Sequence, residues 1–210
     1  MIAIIGAGGH GKCVYECLFR QGLKIIGFFD DDPAKEGNII INGAKVIGTP
    51  GSISQYPEAD SIFVAVGDNR SRTNQFTYYK AKEYLLPNAI HPGAYISDFA
   101  KIGAGNFIMG PAVINPGSTI GDCCIINTSA TVGHDCILGN GVQIGPGVNV
   151  AGGCVLKEGV FVGVGAKIGP EVTLGAWSVI GAGSVVLRDI PDYSFCAGVP
   201  AVLRKNNGIE

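Results

Sequence analysis

The chain has 210 residues, with 15 Lys and Arg against 17 Asp and Glu and a formal net charge of −2 at pH 7. That balance excludes a basic nucleic-acid-binding surface and a polybasic membrane anchor. Seven cysteines with no Cys-x-x-Cys pair argue against a disulfide or zinc–thiolate framework and point to reduced thiols in the cytoplasm.

No basic segment precedes the first apolar run, Ile2–Ile5, so no signal peptide is expected. That run reads as a buried strand. Gly6-Ala7-Gly8-Gly9-His10-Gly11-Lys12 follows as a glycine turn, and Cys13–Arg20 as a helix closed near Gly22. Lys24–Phe29 reads as a second strand, running into Asp30-Asp31-Asp32. Ser61–Val66 reads as a third, followed by Gly67-Asp68-Asn69 and a helix over Arg72–Tyr84. Strand, glycine turn, helix, strand is a βαβ unit, expected to carry a parallel sheet of three or four strands over residues 1–86. Pro87 and His91-Pro92 mark the handover to a second domain, 87–210.

Gly6-x-Gly8-x-x-Gly11, with Asp30 about twenty residues on, matches the dinucleotide fingerprint. Glycines let a backbone approach a phosphate, and a helix N-terminus offers unpaired N–H groups. The sheet is too short for two mononucleotide halves, and no dehydrogenase-type catalytic domain follows. The diphosphate of a nucleotide ligand is therefore the more economical reading than NAD(P), with Asp30 and Asp31 reaching ribose or base. A purely structural tight turn is the alternative.

From Ile90 to Val186 every sixth residue is Ile, Leu or Val, seventeen times in succession. Neither the helical period of 3.6 nor a hairpin strand locks at six; a hexapeptide β-solenoid does. Four residues after each anchor the side chain is usually small (Ala112, Ser118, Cys124, Ala130, Cys136, Cys154), with Asn106 a break in the pattern. Glycine recurs directly after the anchor. Three six-residue faces make one triangular coil, so the repeats give between five and six coils. Residues 136–156 lack any Asp, Glu, Lys or Arg, yet six glycines, Pro146 and the sixfold register make them solenoid and not a membrane span.

Only three histidines are present: His10, His91 and His134. A zinc hydratase of the γ-carbonic-anhydrase kind needs three along the coils, so no metal is expected. His134 sits two residues after its anchor, beside Asp135, where the chain turns outward from the prism. An imidazole there suits a general base, with the carboxylate fixing its tautomer; an ordinary surface histidine is the alternative. His91, next to Pro92, reads as a joint residue, and His10 would lie near any phosphate or sugar in the glycine turn.

The combination of Gly-Ala-Gly-Gly-His-Gly, Phe29-Asp30-Asp31, Val66-Gly67-Asp68-Asn69, the hexapeptide repeat and Asn127-Thr128-Ser129 followed by His134-Asp135 resembles the bacterial hexapeptide-repeat sugar acetyltransferases. Members N-acetylate nucleotide-linked 4-amino-4,6-dideoxy sugars, and sialic acid O-acetyltransferase-like proteins share the layout. The resemblance implies a small Rossmann-like domain followed by a left-handed parallel β-helix. It also implies acetyl-CoA as co-substrate and a homotrimer with active sites at subunit interfaces. By the same resemblance His134 is the general base with Asp135 tuning it. Gly8, Gly9, His10, Asp30, Asp31 and Asn127 would contact the nucleotide sugar, and Gly152, Val164 and Ala182 would line the coenzyme groove. Gln143 stands where some relatives carry a second histidine, and Gly198-Val199-Pro200-Ala201 is followed by Val202 instead of the usual lysine. N-acetylation of a nucleotide-linked amino sugar is preferred. O-acetylation of a sugar hydroxyl is the nearest alternative, and a non-catalytic sugar-nucleotide-binding solenoid the next.

Overall fold

A computed structural model describes residues 1–206. The chain forms two compact units, Met1–Pro92 and the residues from Gly93 on.

The first unit holds β1 (Ile2–Ile5), α1 (Gly9–Arg20), β2 (Ile25–Phe29), β3 (Ile39–Ile41), β4 (Ala44–Gly48), β5 (Ser61–Val64) and α2 (Asn69–Ala81). Four strands run parallel in the order β4-β2-β1-β5, and β3 adds an antiparallel edge to β4. The sheet is thus one strand larger than expected. The extra β3–β4 hairpin turns at Asn42-Gly43, both at positive φ (49° and 77°), as a two-residue hairpin loop requires. The edge strand β3 was missed because it buries little: Ile39 is 65% exposed and leaves no core-facing alternation to read. Both helices start earlier than expected. Gly8 is extended and serves as N-cap, so the glycine segment itself makes the first turn of α1. Asp68 caps α2 by accepting the Ser71 N–H at 2.8 Å, which pulls Asn69 into the helix.

From Tyr95–Ile96 to Val185–Val186 the second unit consists of two-residue strands, and each as far as Lys167–Ile168 pairs in parallel with the strand eighteen residues on. Thr131 pairs Asn149, Ile137 pairs Val155 and Gln143 pairs Phe161, which defines three faces and an eighteen-residue coil. This is the left-handed parallel β-helix expected, opposite in hand to the usual right-handed crossover. Every anchor from Ile108 to Val186 is buried, each worth about 1.5–3 kcal/mol of transfer free energy. The Asn106 break also has a cause. Its side chain is fully buried, and Oδ1 accepts the Cys124 N–H of the next coil at 2.7 Å. Ser118 Oγ does the same for Cys136 N–H at 3.1 Å. Amides at interior corners need acceptors, and these two side chains supply them. Ser194–Ala197 continues the third face and pairs antiparallel with Val202–Asn206. No helix is long and apolar enough to cross a membrane among the described residues.

Candidate active site

In the first unit the glycines of the turn divide by function. A Cβ on Gly6 (φ 102°) would lie 2.7 Å from Ala65 O, and one on Gly11 would run into Gly6 O, so these two are demanded by the fold. Gly8 and Gly9 would meet nothing within 4 Å. They leave the start of α1 open to a ligand, where first-turn N–H groups are available.

Asp30 is engaged inside the protein. Its Oδ2 accepts Ala7 N–H at 2.8 Å, and Oδ1 accepts Asp32 N–H at 3.1 Å and Lys35 Nζ at 2.9 Å. Burial pushes its pKa up, but these bonds outweigh it and the net shift is downward. Asp30 therefore ties the glycine turn to the end of β2, and Asp31, which is exposed, is the carboxylate directed to solvent.

Between the C-terminal ends of β1, β2 and β5 lies a cleft of about 120 Å³, lined by Ile5, Gly6, Phe29, Asp30, Asp31, Pro50, Val66 and Gln75. Whole-ligand pockets run to about 300–1,000 Å³, so this one has room for no more than a single ring of a larger ligand. It lies at the carboxyl edge where open α/β sheets bind ligands.

Two residues here escaped the sequence reading. Gln75 Oε1 is buried at the cleft without a hydrogen-bond partner, while its Nε2 donates to Ser71 Oγ at 3.2 Å. Arg72, only 1% exposed, donates to Val66 O and Gly67 O and to Asn69 Oδ1 at 2.8 Å. It thereby holds the loop between β5 and α2. His10 is held neutral, its pKa lowered to about 4 by burial and then by the Arg72 charge. Nothing in the composition of α2, a polar helix, distinguishes Arg72 or Gln75 from its solvated neighbours.

On the β-helix, His134 Nδ1 lies 2.8 Å from Asp135 Oδ2, and both side chains are more than 70% exposed. With Nδ1–H donated to the carboxylate, Nε2 presents its lone pair outward. Asp135 takes the left-handed conformation (φ 58°) and donates its N–H to Pro116 O at 3.0 Å on the coil before. Gly152, eighteen residues after His134, stacks directly on it: a Cβ there would lie 2.5 Å from Nε2 and 2.6 Å from Cε1.

The remaining expected residues form a second row. Asn127, Val164 and Ala182 occupy the corner that follows Ile125–Ile126, Phe161–Val162 and Val179–Ile180. His134 and Gly152 occupy the corner that follows Thr131–Val132 and Asn149–Val150. One face of the prism separates the two rows, so a single chain does not bring them together. Asn127 Oδ1 accepts Thr128 N–H at 2.8 Å, and Val164 is 55% exposed. Gln143 lies on the third face between Ile125 and Phe161, its Oε1 buried without a partner. No three His, Cys, Asp or Glu side chains converge as a metal site among the described residues.

Residues 1–79 match the PglD N-terminal domain, and residues 117–152 and 153–188 match the bacterial transferase hexapeptide (six repeats). The chain is 41% identical to PerB from Caulobacter crescentus, solved in complex with CoA and GDP-perosamine. The match covers 97% of each chain with a TM-score of 0.92. The chain belongs to the bacterial hexapeptide sugar acetyltransferases. Another hexapeptide acetyltransferase, the acetyltransferase domain of PglB from Neisseria gonorrhoeae FA1090 in complex with acetyl coenzyme A, is 40% identical. That match covers 97% of this chain and 98% of the domain, with a TM-score of 0.90. An uncharacterized protein of Acanthamoeba polyphaga mimivirus is 35% identical over 107 residues, 51% of this chain and 21% of its own length. The chain spans about a fifth of the length of the curated relatives it matches.

Proposed function

We propose that this protein transfers the acetyl group of acetyl-CoA to the amino group of a nucleotide-linked 4-amino-4,6-dideoxy sugar. The observation that carries this reading is the exposed His134–Asp135 pair, in a chain 41% identical, end to end, to an enzyme crystallised with CoA and GDP-perosamine. The sugar amine attacks the thioester carbonyl while His134 Nε2 accepts its proton. Asp135 stabilises the imidazolium formed at Nδ1. The thiolate of CoA leaves and takes a proton, so one amide forms as one thioester breaks. Cys136, the cysteine next to the pair, is buried with its Sγ turned to the carbonyls of His134 and Ala151 at 3.6 and 3.1 Å, which favours direct transfer over a covalent acetyl-enzyme.

The open start of α1 at Gly8 and Gly9 suits the diphosphate, with neutral His10 beside it, and the cleft at Asp31 suits the base. The two separated rows support a homotrimer. Asn127, Val164 and Ala182 of one copy would complete the site at His134 and Gly152 of the next, with Gln143 donating toward the coenzyme.

The test mixes protein, acetyl-CoA and UDP-, GDP- and dTDP-linked 4-amino-4,6-dideoxyhexoses, following thiol release and product mass. Gain of one acetyl group on one nucleotide sugar is expected. Transfer only to hydroxyl acceptors such as sialic acid would replace the proposal with O-acetylation.

A further inference from the structure

The imidazole of His134 is 71% exposed, and an exposed side chain is free to change rotamer unless something holds it. Two contacts hold this one. The first is the Asp135 carboxylate at Nδ1. The second is the next coil, because the Nε2 edge of the ring lies against Gly152, with Nε2, Cε1 and Cδ2 within 3.0 Å of where a Cβ would stand.

Asp135 is seated in the same way from the other side. Eighteen residues earlier stands Gly117, where a Cβ would run into Asp135 Oδ1 and lie 3.2 Å from Cγ. The pair is thus clamped along the solenoid axis, Asp135 on the glycine one coil before and His134 on the glycine one coil after.

The two seats differ in backbone. Gly117 has φ 76°, which favours glycine in any case, whereas Gly152 has an ordinary φ and is glycine for space alone. The hydrogen bonds of the corner need no glycine there: Glu171 N–H donates to Gly152 O at 3.0 Å, and Gly153 N–H to His134 O at 2.9 Å. Alanine at 152 keeps the N–H and C=O of those bonds, and the three atoms its Cβ would meet first all belong to the His134 ring.

We propose that Gly152 and Gly117 are positioning residues for the acetyl transfer, their missing side chains holding the His134–Asp135 pair in its working rotamers. The inference rests on the reading of His134 as general base and concerns the missing side chain of Gly152, apart from any contact its backbone makes with the coenzyme. A base misplaced by about 1 Å loses on the order of 10²-fold in rate.

The experiment is a double-mutant cycle on the full chain with acetyl-CoA and the accepted sugar. Gly152→Ala is expected to lower kcat about 10- to 100-fold with KM for acetyl-CoA within about twofold of wild type. In a His134→Ala background the same substitution is expected to cost nothing further, because there is no ring left to displace. A Gly152→Ala enzyme with normal kcat and raised KM for acetyl-CoA makes Gly152 a coenzyme contact and overturns the proposal. Equal losses in both backgrounds overturn it in favour of a structural effect. His134→Ala activity within tenfold of wild type removes the base reading itself, a result distinct from either. Gly117→Ala carries the same cycle through Asp135→Ala should Gly152→Ala not fold.

Discussion

His10 shows how one side chain can record its surroundings in the pH dependence of the whole protein. Its pKa falls from about 6.5 in the unfolded chain to about 4 in the folded one, through burial and then the nearby Arg72 guanidinium. Between those values the unfolded chain binds more protons, so stability is full above pH 6.5 and declines as pH falls toward 4. A shift of that size amounts to about 3 kcal/mol at the bottom of the window. His10→Gln, which cannot protonate, is expected to flatten this dependence. Urea unfolding at pH 7.5 and pH 4.5 for both proteins measures it, and parallel losses in the two would disprove a neutral buried His10. At pH 7 the uncharged ring beside the open start of α1 can accept or donate a hydrogen bond without adding charge. The positive field available to a diphosphate there comes from the helix N-terminus and Arg72.

At the scale of elements, Asp30 joins β1, α1 and β2 through one carboxylate. Its three hydrogen bonds come from Ala7, Asp32 and Lys35, two of them backbone N–H groups that an apolar residue would leave without an acceptor. Asp30→Ala is expected to cost about 1–3 kcal/mol of stability for a charged acceptor lost. Because its folded pKa lies below the usual 3.8, that stability is present above pH 3.8 and is lost as pH falls through the folded value. Denaturant melts at pH 7 and pH 3 check both sign and size: the gap between wild type and variant should narrow at the lower pH. This carboxylate also shows where sequence reading reached its limit. The Asp after the second strand was legible as a carboxylate for the ribose or base of a nucleotide ligand, but its 2.8 Å bond to the turn's own Ala7 N–H is a contact that no spacing encodes. The β-helix was legible for the opposite reason. From Ile108 to Val186 each anchor repeats one buried environment, so position after position reports the same fact. The Gly117 and Gly152 seats were present in the same periodicity, eighteen residues from Asp135 and His134, and became visible only once the structure showed those two side chains lying against them. Arg72, Gln75 and the β3–β4 hairpin had no periodic signal to betray them.

The whole molecule poses one question that a single chain leaves open, since His134 with Gly152 and Asn127 with Val164 and Ala182 stand at opposite edges of one face. The homotrimer proposed above would resolve it by setting the first row of one copy against the second row of its neighbour. The consequence is testable by complementation. His134→Ala removes the base but leaves the second row intact, and Ala182→Trp fills the second row but leaves the base. Each variant alone is expected to be inactive. Co-expressed at equal levels, they form mixed rings in which an interface is whole when its base comes from an Ala182→Trp copy and its second row from a His134→Ala copy. Random assembly makes about one interface in four of that kind, so about a quarter of wild-type activity is expected from the mixture. A site built within one chain yields no recovery, because no copy carries both intact rows. Recovery near a quarter would establish that the site is shared between copies, and would explain why each prism edge carries only half of the residues needed.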